Sequence, residues 1–242
     1  MLQLFIIDII KKYGVMNSMY DKYNWRFDEK VVGVFDEHVN NSVPLYKLFH
    51  ENIVNMSVYF TQLNTNIIDI GTSTGVLLNK LYEINKSRNV NCTGIDIEKA
   101  MIDECKSRYN NLNFYVCDAV NYDYTNSSVI TAMLSLQFIQ KNDRKKLLNK
   151  IYKEINDDGC LFIVEKIKSE IPDIHDIYND LYYDFKRNNL DDNDILDKNQ
   201  SLRGIMKPLT LSENIENLRN VGFEKIDVFM KYNNFVGIMA IK

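Results

Sequence analysis

Residues 66 to 75, NIIDIGTSTG, set two glycines and three small hydroxyl side chains at the tip of an apolar run, in a chain with only nine glycines. Gly71 and Gly75 let backbone N–H groups approach a ligand with no Cβ in the way, and Thr72, Ser73 and Thr74 add hydroxyl donors and acceptors. The loop is G-x-x-x-G, so it lacks the third glycine of the dinucleotide fingerprint and the lysine of a phosphate-binding loop. A nucleoside without phosphates suits it better. Asp96 closes the run GIDI about twenty-five residues after Gly71, near the spacing at which an acid takes two ribose hydroxyls. Asp118, in CDA, stands where a short acid accepts from an exocyclic amine. With Asp69 in the first run, three acids and a glycine loop fall at successive strand ends.

Those residues converge only if the runs are parallel neighbours. The runs are NIIDI (66–70), CTGIDI (92–97), NFYVCDAV (113–120), SVITAMLSL (128–136) and GCLFIVEKI (159–167). Between them VLLNKLYEINK, EKAMIDECKSRY and DRKKLLNKIYKEI carry apolar residues at intervals of three and four. This alternation predicts βαβ units around a mainly parallel sheet, with the glycine loop at the carboxyl end of the first strand. NDDG is expected to stop the third helix, with Gly159 in a left-handed turn. LSENIENLRNVGF (211–223) reads as a helix closed by Gly222, and EKIDVFMKY and NFVGIMAIK as strands of a hairpin joined by a tight Asn turn. The fold class is therefore α/β, Rossmann-like, with a seven-stranded mainly parallel sheet ending in an antiparallel hairpin. Residues 1–65 form an expected N-terminal helical cap segment, and 66–242 the α/β domain, with a helical insertion at about 168–205.

Composition narrows the function classes. The 242 residues carry 29 Lys and Arg against 33 Asp and Glu, a net charge of -4, which argues against a protein held on nucleic acid mainly through phosphates. Cys92, Cys105, Cys117 and Cys160 lie far apart, so no zinc spacing or disulfide framework is legible and a reducing cytoplasmic setting is expected. No metal site is expected. The start MLQLFIIDII contains Asp8, follows no basic residues and precedes KKYG, so it reads as helix or strand rather than a leader, and no run has the length of a membrane span. Asn is frequent throughout and reads as background composition.

The motif IIDIGTSTG with its downstream Asp96 resembles the class I S-adenosylmethionine-dependent methyltransferases. FDEHVNNSVPLY (35–46), SLQFI (135–139), DRKKLLNKIYKEINDDGCLFIVEK (143–166), YYDFKRNN (182–189) and GFEKIDVFMKYNNFVGIMAIK (222–242) resemble, more closely, the carboxy-S-adenosylmethionine synthase family. That resemblance covers roughly residues 24 to 242. It implies a helical cap, a homodimer and a carboxyl group passed from prephenate to the cofactor's methyl. It also implies a cofactor-binding set of Tyr46, Asp69, Gly71, Thr72, Ser73, Gly75, Asp96 with Ile97, Asp118 with Ala119, and Met133 and Gln137 at the fourth strand. The cofactor is S-adenosyl-L-methionine or its carboxylated form.

Two positions depart from that family. Met133 stands where it has a cofactor-binding Asn, and Gln200 where it has an Arg that pairs with the added carboxylate. A neutral amide cannot replace a permanent, two-pronged cation, and losing such a pair costs roughly 2 to 5 kcal/mol of binding. Arg203, one helical turn from Gln200, is the nearest substitute, and the two form the expected substrate-binding set. The expectation is thus a transferase, most simply a methyltransferase acting on a small molecule such as an intermediate of secondary metabolism. The alternatives are the carboxylated-cofactor synthase itself, attack on another cofactor carbon with cyclisation or lysis to methylthioadenosine, and a non-catalytic cofactor sensor. Such chemistry needs alignment and exclusion of water more than a nucleophile. His175, Tyr182 and Tyr183 are the catalytic candidates, with Tyr178 beside them, while His38 and His50 read as structural. The run DFKRNN reads as a solvated face, with Lys186 or Arg187 available to an acidic substrate or a dimer partner.

Overall fold

The structure, a computed structural model, describes residues 32–242. The apolar start and Asp8 lie outside the described residues. The described chain begins with α1 (Phe35–Ser42) and α2 (Tyr46–Phe60), then alternates β1 (Asn66–Ile70), α3 (Val76–Asn85), β2 (Asn91–Asp96), α4 (Lys99–Arg108) and β3 (Asn113–Val116). It continues through β4 (Ser127–Met133), α5 (Lys141–Glu154), β5 (Ile155–Lys166), α6 (Pro172–Arg187), α7 (Asp192–Ser201), α8 (Leu211–Val221), β6 (Lys225–Tyr232) and β7 (Phe235–Ile241). The sheet order is β3-β2-β1-β4-β5-β7-β6, parallel from β3 to β5 and antiparallel at β7 and β6. This is the Rossmann-like seven-stranded arrangement that the alternating runs predict. No helix among the described residues is long and apolar enough to cross a membrane.

Successive strand residues bury on opposite faces, which is why the runs are apolar throughout. Ile67, Val129, Phe162 and Val164 meet Phe49 and Ile53 of α2 and Leu78 and Leu81 of α3. Ile68, Ile130, Leu161 and Ile163 meet Leu147, Leu148 and Ile151 of α5 and Leu218 of α8. Helix α2, expected as part of a cap, is thus core. The remaining described helices of the expected cap and insertion, α1, α6 and α7, bring Phe35, Tyr182 and Asn199 to a cavity at the carboxyl ends of the strands.

Several boundaries differ from expectation, each for a local reason. β3 ends at Val116, and Asp118 caps a single 3-10 turn, Ala119–Asn121, by accepting from the Val120 amide. β5 starts at Ile155, so NDDG lies inside a strand, and the left-handed residue there is Asp158 (φ 60). Gly159 is required for another reason: a Cβ would sit 2.8 Å from the Asn156 carbonyl oxygen. Gly222 (φ 121) does close α8, whose start carries a Thr210–Glu213 capping box. Some of the asparagines that read as background form a ladder across the strand starts: Asn113 donates to Asn91, Asn91 to Asn66, and Asn66 to the Thr125 carbonyl.

One row across the sheet governs the site. Gly94 on β2, Asp69 on β1 and Thr131 on β4 lie at the same level. Gly94 leaves the space into which Thr72 folds, since a Cβ there would lie 2.7 Å from the Thr72 side chain and 2.9 Å from Phe114. Gly94→Ala is expected to lower stability by about 1 to 3 kcal/mol through overpacking, read as a fall in the urea midpoint without a change in slope.

Candidate functional site

The cavity spans about 560 Å³ beside β1 and β4, where the strand order reverses. Its near wall is the 71–75 loop. Gly71 is left-handed (φ 67), and a Cβ there would meet Ser135 Oγ at 2.4 Å, so the loop presses on the exit of β4. Ser135 Oγ donates to the Ile70 carbonyl at 2.8 Å and locks that contact. Asp69 is buried, and its two oxygens accept from Thr72 Oγ1 at 2.8 Å and Thr131 Oγ1 at 2.6 Å. Burial outweighs those bonds and pushes its carboxyl up to about 6.

Asp96 accepts from the amides of Ser73 and Glu98, both at 3.0 Å, through different oxygens. Each oxygen keeps a second lone pair for a ribose hydroxyl. Beyond it, Ile97 is 68% exposed in the cavity wall, an apolar shelf at the expected adenine position beside Cys117, Asp118 and Ala119. Tyr124 Oη donates to the Ala119 carbonyl at 2.8 Å and fixes that turn. Against expectation, Gly71 makes room for Ser135 rather than for a ligand, and the Gly71 and Thr72 amides donate to the Ile95 carbonyl; the free lone pairs of Asp96 and the apolar shelf are what fit the nucleoside part of S-adenosylmethionine.

Helix α1 roofs this corner. Asp36 accepts from Thr74 Oγ1 at 2.6 Å and from Arg108 of α4 at 2.7 Å, so the roof is fastened to the glycine loop. Tyr46, at the start of α2, lines the cavity with its ring 4.4 Å from that of His50. Its phenol is raised above the ordinary tyrosine range by burial and then by Asp69 and Asp36. Burial lowers His50 to about 4, so its ring is neutral at pH 7.

The far end of the cavity is cationic. Lys166 at the end of β5 and Lys186 of α6 place their ammonium groups 4.0 and 4.5 Å from the centroid of the Tyr182 ring. Lys198 of α7 lies against His38 of α1. Burial, reinforced by Lys186, lowers Lys166 to about 7; burial lowers Lys186 to about 8; burial and Lys186 lower Lys198 well below its usual range. Burial and the two lysines lower His38 to about 3, leaving it neutral. Tyr183 Oη accepts from Asn199 at 2.9 Å, joining α6 to α7.

Most of the expected residues converge. Tyr46, Asp69, Gly71, Thr72, Ser73, Asp96, Ile97, Asp118, Ala119, Met133, Gln137, Tyr182 and Tyr183 all line the cavity. Gly75 does not; it is the left-handed N-cap of α3 (φ 77). Gln137 is buried and works on the backbone, its Oε1 accepting from the Lys166 amide at 3.0 Å. His175 is not among the lining residues, and its Nδ1 is buried without a partner; His38 and His50, read as structural, line the cavity instead. Gln200 and the exposed Arg203 also lie off it, whereas Lys198 and Asn199 reach it. A step of one or two residues along a helix turns the side chain by about 100° or 200°, which accounts for the difference. Lys166 and Lys198 went unseen, and His38 was read as structural, because the three come from distant elements. Lys186, noted within DFKRNN, sits four residues after Tyr182 and so shares its face.

Comparison with known proteins fits this geometry. The family described as "Methyltransferase domain" matches residues 67–159. The chain is 40% identical to the carboxy-S-adenosyl-L-methionine synthase of Staphylococcus epidermidis, over 92% of this chain and 99% of that protein. It is 36% identical to the enzyme of the same name from Nautilia profundicola, over 94% and 98% of the two chains. Among solved structures, human N-acetylserotonin methyltransferase in complex with SAM superposes with a TM-score of 0.60 at 13% identity, over 88% of this chain and 55% of that one. An O-methyltransferase family protein from Burkholderia thailandensis gives 0.64 at 11% identity, over 89% and 60%. Those two likenesses concern the fold.

The raised Asp69 carboxyl has a measurable consequence. Its folded pKa of about 6 exceeds the ordinary 3.8, so its contribution to stability is full below about pH 4 and is lost as pH rises through 6. Asp69→Asn does not titrate there. The stability of the variant relative to the parent is expected to improve by roughly 1 kcal/mol between pH 5 and pH 8, read by urea unfolding at both values. A difference that stays constant with pH would mean that Asp69 titrates as in the unfolded chain.

Proposed function

Because the chain belongs to the carboxy-S-adenosyl-L-methionine synthase family, we propose that it transfers a carboxyl group from prephenate to S-adenosyl-L-methionine. The observation that carries this reading is the relationship over nearly the whole length of the Staphylococcus epidermidis protein, cap helices included. Of the two transferase readings of the sequence, methyl transfer to a separate small molecule rested on Gln200 replacing a cation and on Met133, which lines the cavity, replacing an amide. Gln200 lies off the cavity, and the cavity is supplied with Lys166, Lys186 and Lys198 instead. These lysines support a carboxylate site built from residues other than Gln200.

When bound, S-adenosylmethionine would supply a sulfonium that acidifies its own methyl, which gives up one proton as it gains the carboxyl group released by the donor. The chain's own residues bind, orient and exclude water. Asp96 takes the ribose, the 71–75 loop passes the amino-acid part, and Ile97 and Ala119 face the adenine. Met133, at the middle of the cavity, offers an apolar wall beside the sulfur and no competing amide. Helix α1, fastened through Asp36, and the Tyr182–Phe235 contact, at 5.4 Å between ring centroids, keep the space between the two ends dry. A homodimer in the cytoplasm is proposed on the same kinship.

Mass spectrometry of the purified protein incubated with S-adenosylmethionine and prephenate is the direct test, and a cofactor heavier by one carboxyl group in place of hydrogen is expected. Unchanged cofactor, or methylthioadenosine, would overturn the reading. Asp96→Ala is expected to weaken calorimetric uptake of S-adenosylmethionine by at least about tenfold, since a buried acceptor of two hydroxyls is lost.

A further inference from the structure

Two lysines held at one aromatic ring, Lys186 buried and Lys166 half-buried, call for an explanation. Lys166 and Lys186 approach the same Tyr182 ring, at 4.0 and 4.5 Å, on the cavity wall. Lys186 is 4% exposed. No carboxylate of the described residues pairs with either: Lys166 is influenced by burial and Lys186, and Lys186 by burial alone. Lys198 and the neutral ring of His38 adjoin them. Five acids line the cavity among the described residues: Asp69, Asp96 and Asp118 are engaged by backbone amides and threonine hydroxyls, Asp143 pairs with Lys146, and Glu98 follows Asp96 on the nucleoside side.

Like charges confined together are costly, and proteins retain them where a ligand brings the opposite charge. The ring face of Tyr182 offsets part of that cost by attracting both cations, and it is itself pinned against Phe235. Position decides what the anion is. The cluster stands across the cavity from Asp96, on α6 and the end of β5, so it faces the second substrate rather than the ribose. More than one lysine converges, so more than one negative charge is expected.

Resting on the carboxyl-transfer reading above, we propose that Lys166 and Lys186, set on the Tyr182 ring, form the anion subsite that receives the carboxylates of the donor, a small dicarboxylic acid. The aromatic side chains around the lysines, Tyr182, Tyr183 and Phe235, suit the unsaturated ring of such a donor. Lys198 stands at the edge of the subsite, against His38.

The test compares the parent with Lys186→Gln, Lys166→Gln and the charge-preserving Lys186→Arg, with Arg187→Gln as a surface control. Uptake of S-adenosylmethionine is measured by calorimetry, and prephenate is then titrated into the cofactor-loaded protein. Both Gln variants are expected to weaken prephenate at least about tenfold while leaving cofactor affinity within about twofold; Lys186→Arg restores most of the loss, and Arg187→Gln changes neither. Retained cofactor binding shows that the variants are folded. If cofactor affinity falls in step with that of prephenate, the lysines hold the cofactor's own carboxylate and the proposal is overturned. Unchanged prephenate binding in both Gln variants overturns it as well. Formation of carboxylated cofactor by the parent is scored separately: product with no lysine effect removes the subsite alone, whereas a lysine effect on binding with no product removes the reaction alone.

Discussion

The site depends on a short polar bridge inside the sheet: Thr72 and Thr131 each give a hydroxyl proton to one oxygen of Asp69. The bridge ties the glycine loop after β1 to the neighbouring strand β4, and it exists because β2 offers Gly94 at the same level, leaving room for Thr72. With the loop so held, the Ser73 amide donates to Asp96 at 3.0 Å, and the carboxylate proposed to take the ribose is fixed in place. A buried carboxylate is an expensive anchor, as its raised pKa records. It is tolerated because both of its oxygens are satisfied by rigid, β-branched donors from either side.

Charge divides the cavity into two ends. Carboxylates held by backbone amides line the nucleoside corner, and ammonium groups held at an aromatic ring line the other. Between them lie Met133 and the aromatic contacts, with little polarity of their own. In a low-dielectric space such separated charges produce a field along the cavity axis. A sulfonium and a carboxylate laid end to end match that field in only one direction. For the proposed pair of substrates, orientation would thus follow from the distribution of side chains, before any group acts chemically.

The legible part of this protein is the part whose spacing is set by one strand and its loop. NIIDIGTSTG, GIDI and CDA each place chemistry at a strand end, so the apolar runs alone put Asp69, Asp96 and Asp118 together. The terminal hairpin was readable because NN must turn where two β-branched runs meet. The cationic end was not, because Lys166, Lys186 and Lys198 come from a strand and two helices whose packing no local pattern records. On a helix, moreover, a step of one residue moves a side chain off the cavity, as Asn199 and Gln200 show. The asparagines escaped for another reason. Each is unremarkable in its own strand, and only the register of β1, β2 and β3 turns Asn66, Asn91 and Asn113 into a ladder.

Helix α1 carries one further implication. Asp36 holds Thr74 on one side and Arg108 on the other, and the same helix leans on α7 through His38 and Lys198. The lid over the nucleoside is therefore latched at both of its edges, to opposite ends of the cavity. Exposing the nucleoside end of the cavity thus means breaking contacts at both edges of one short helix, Phe35–Ser42.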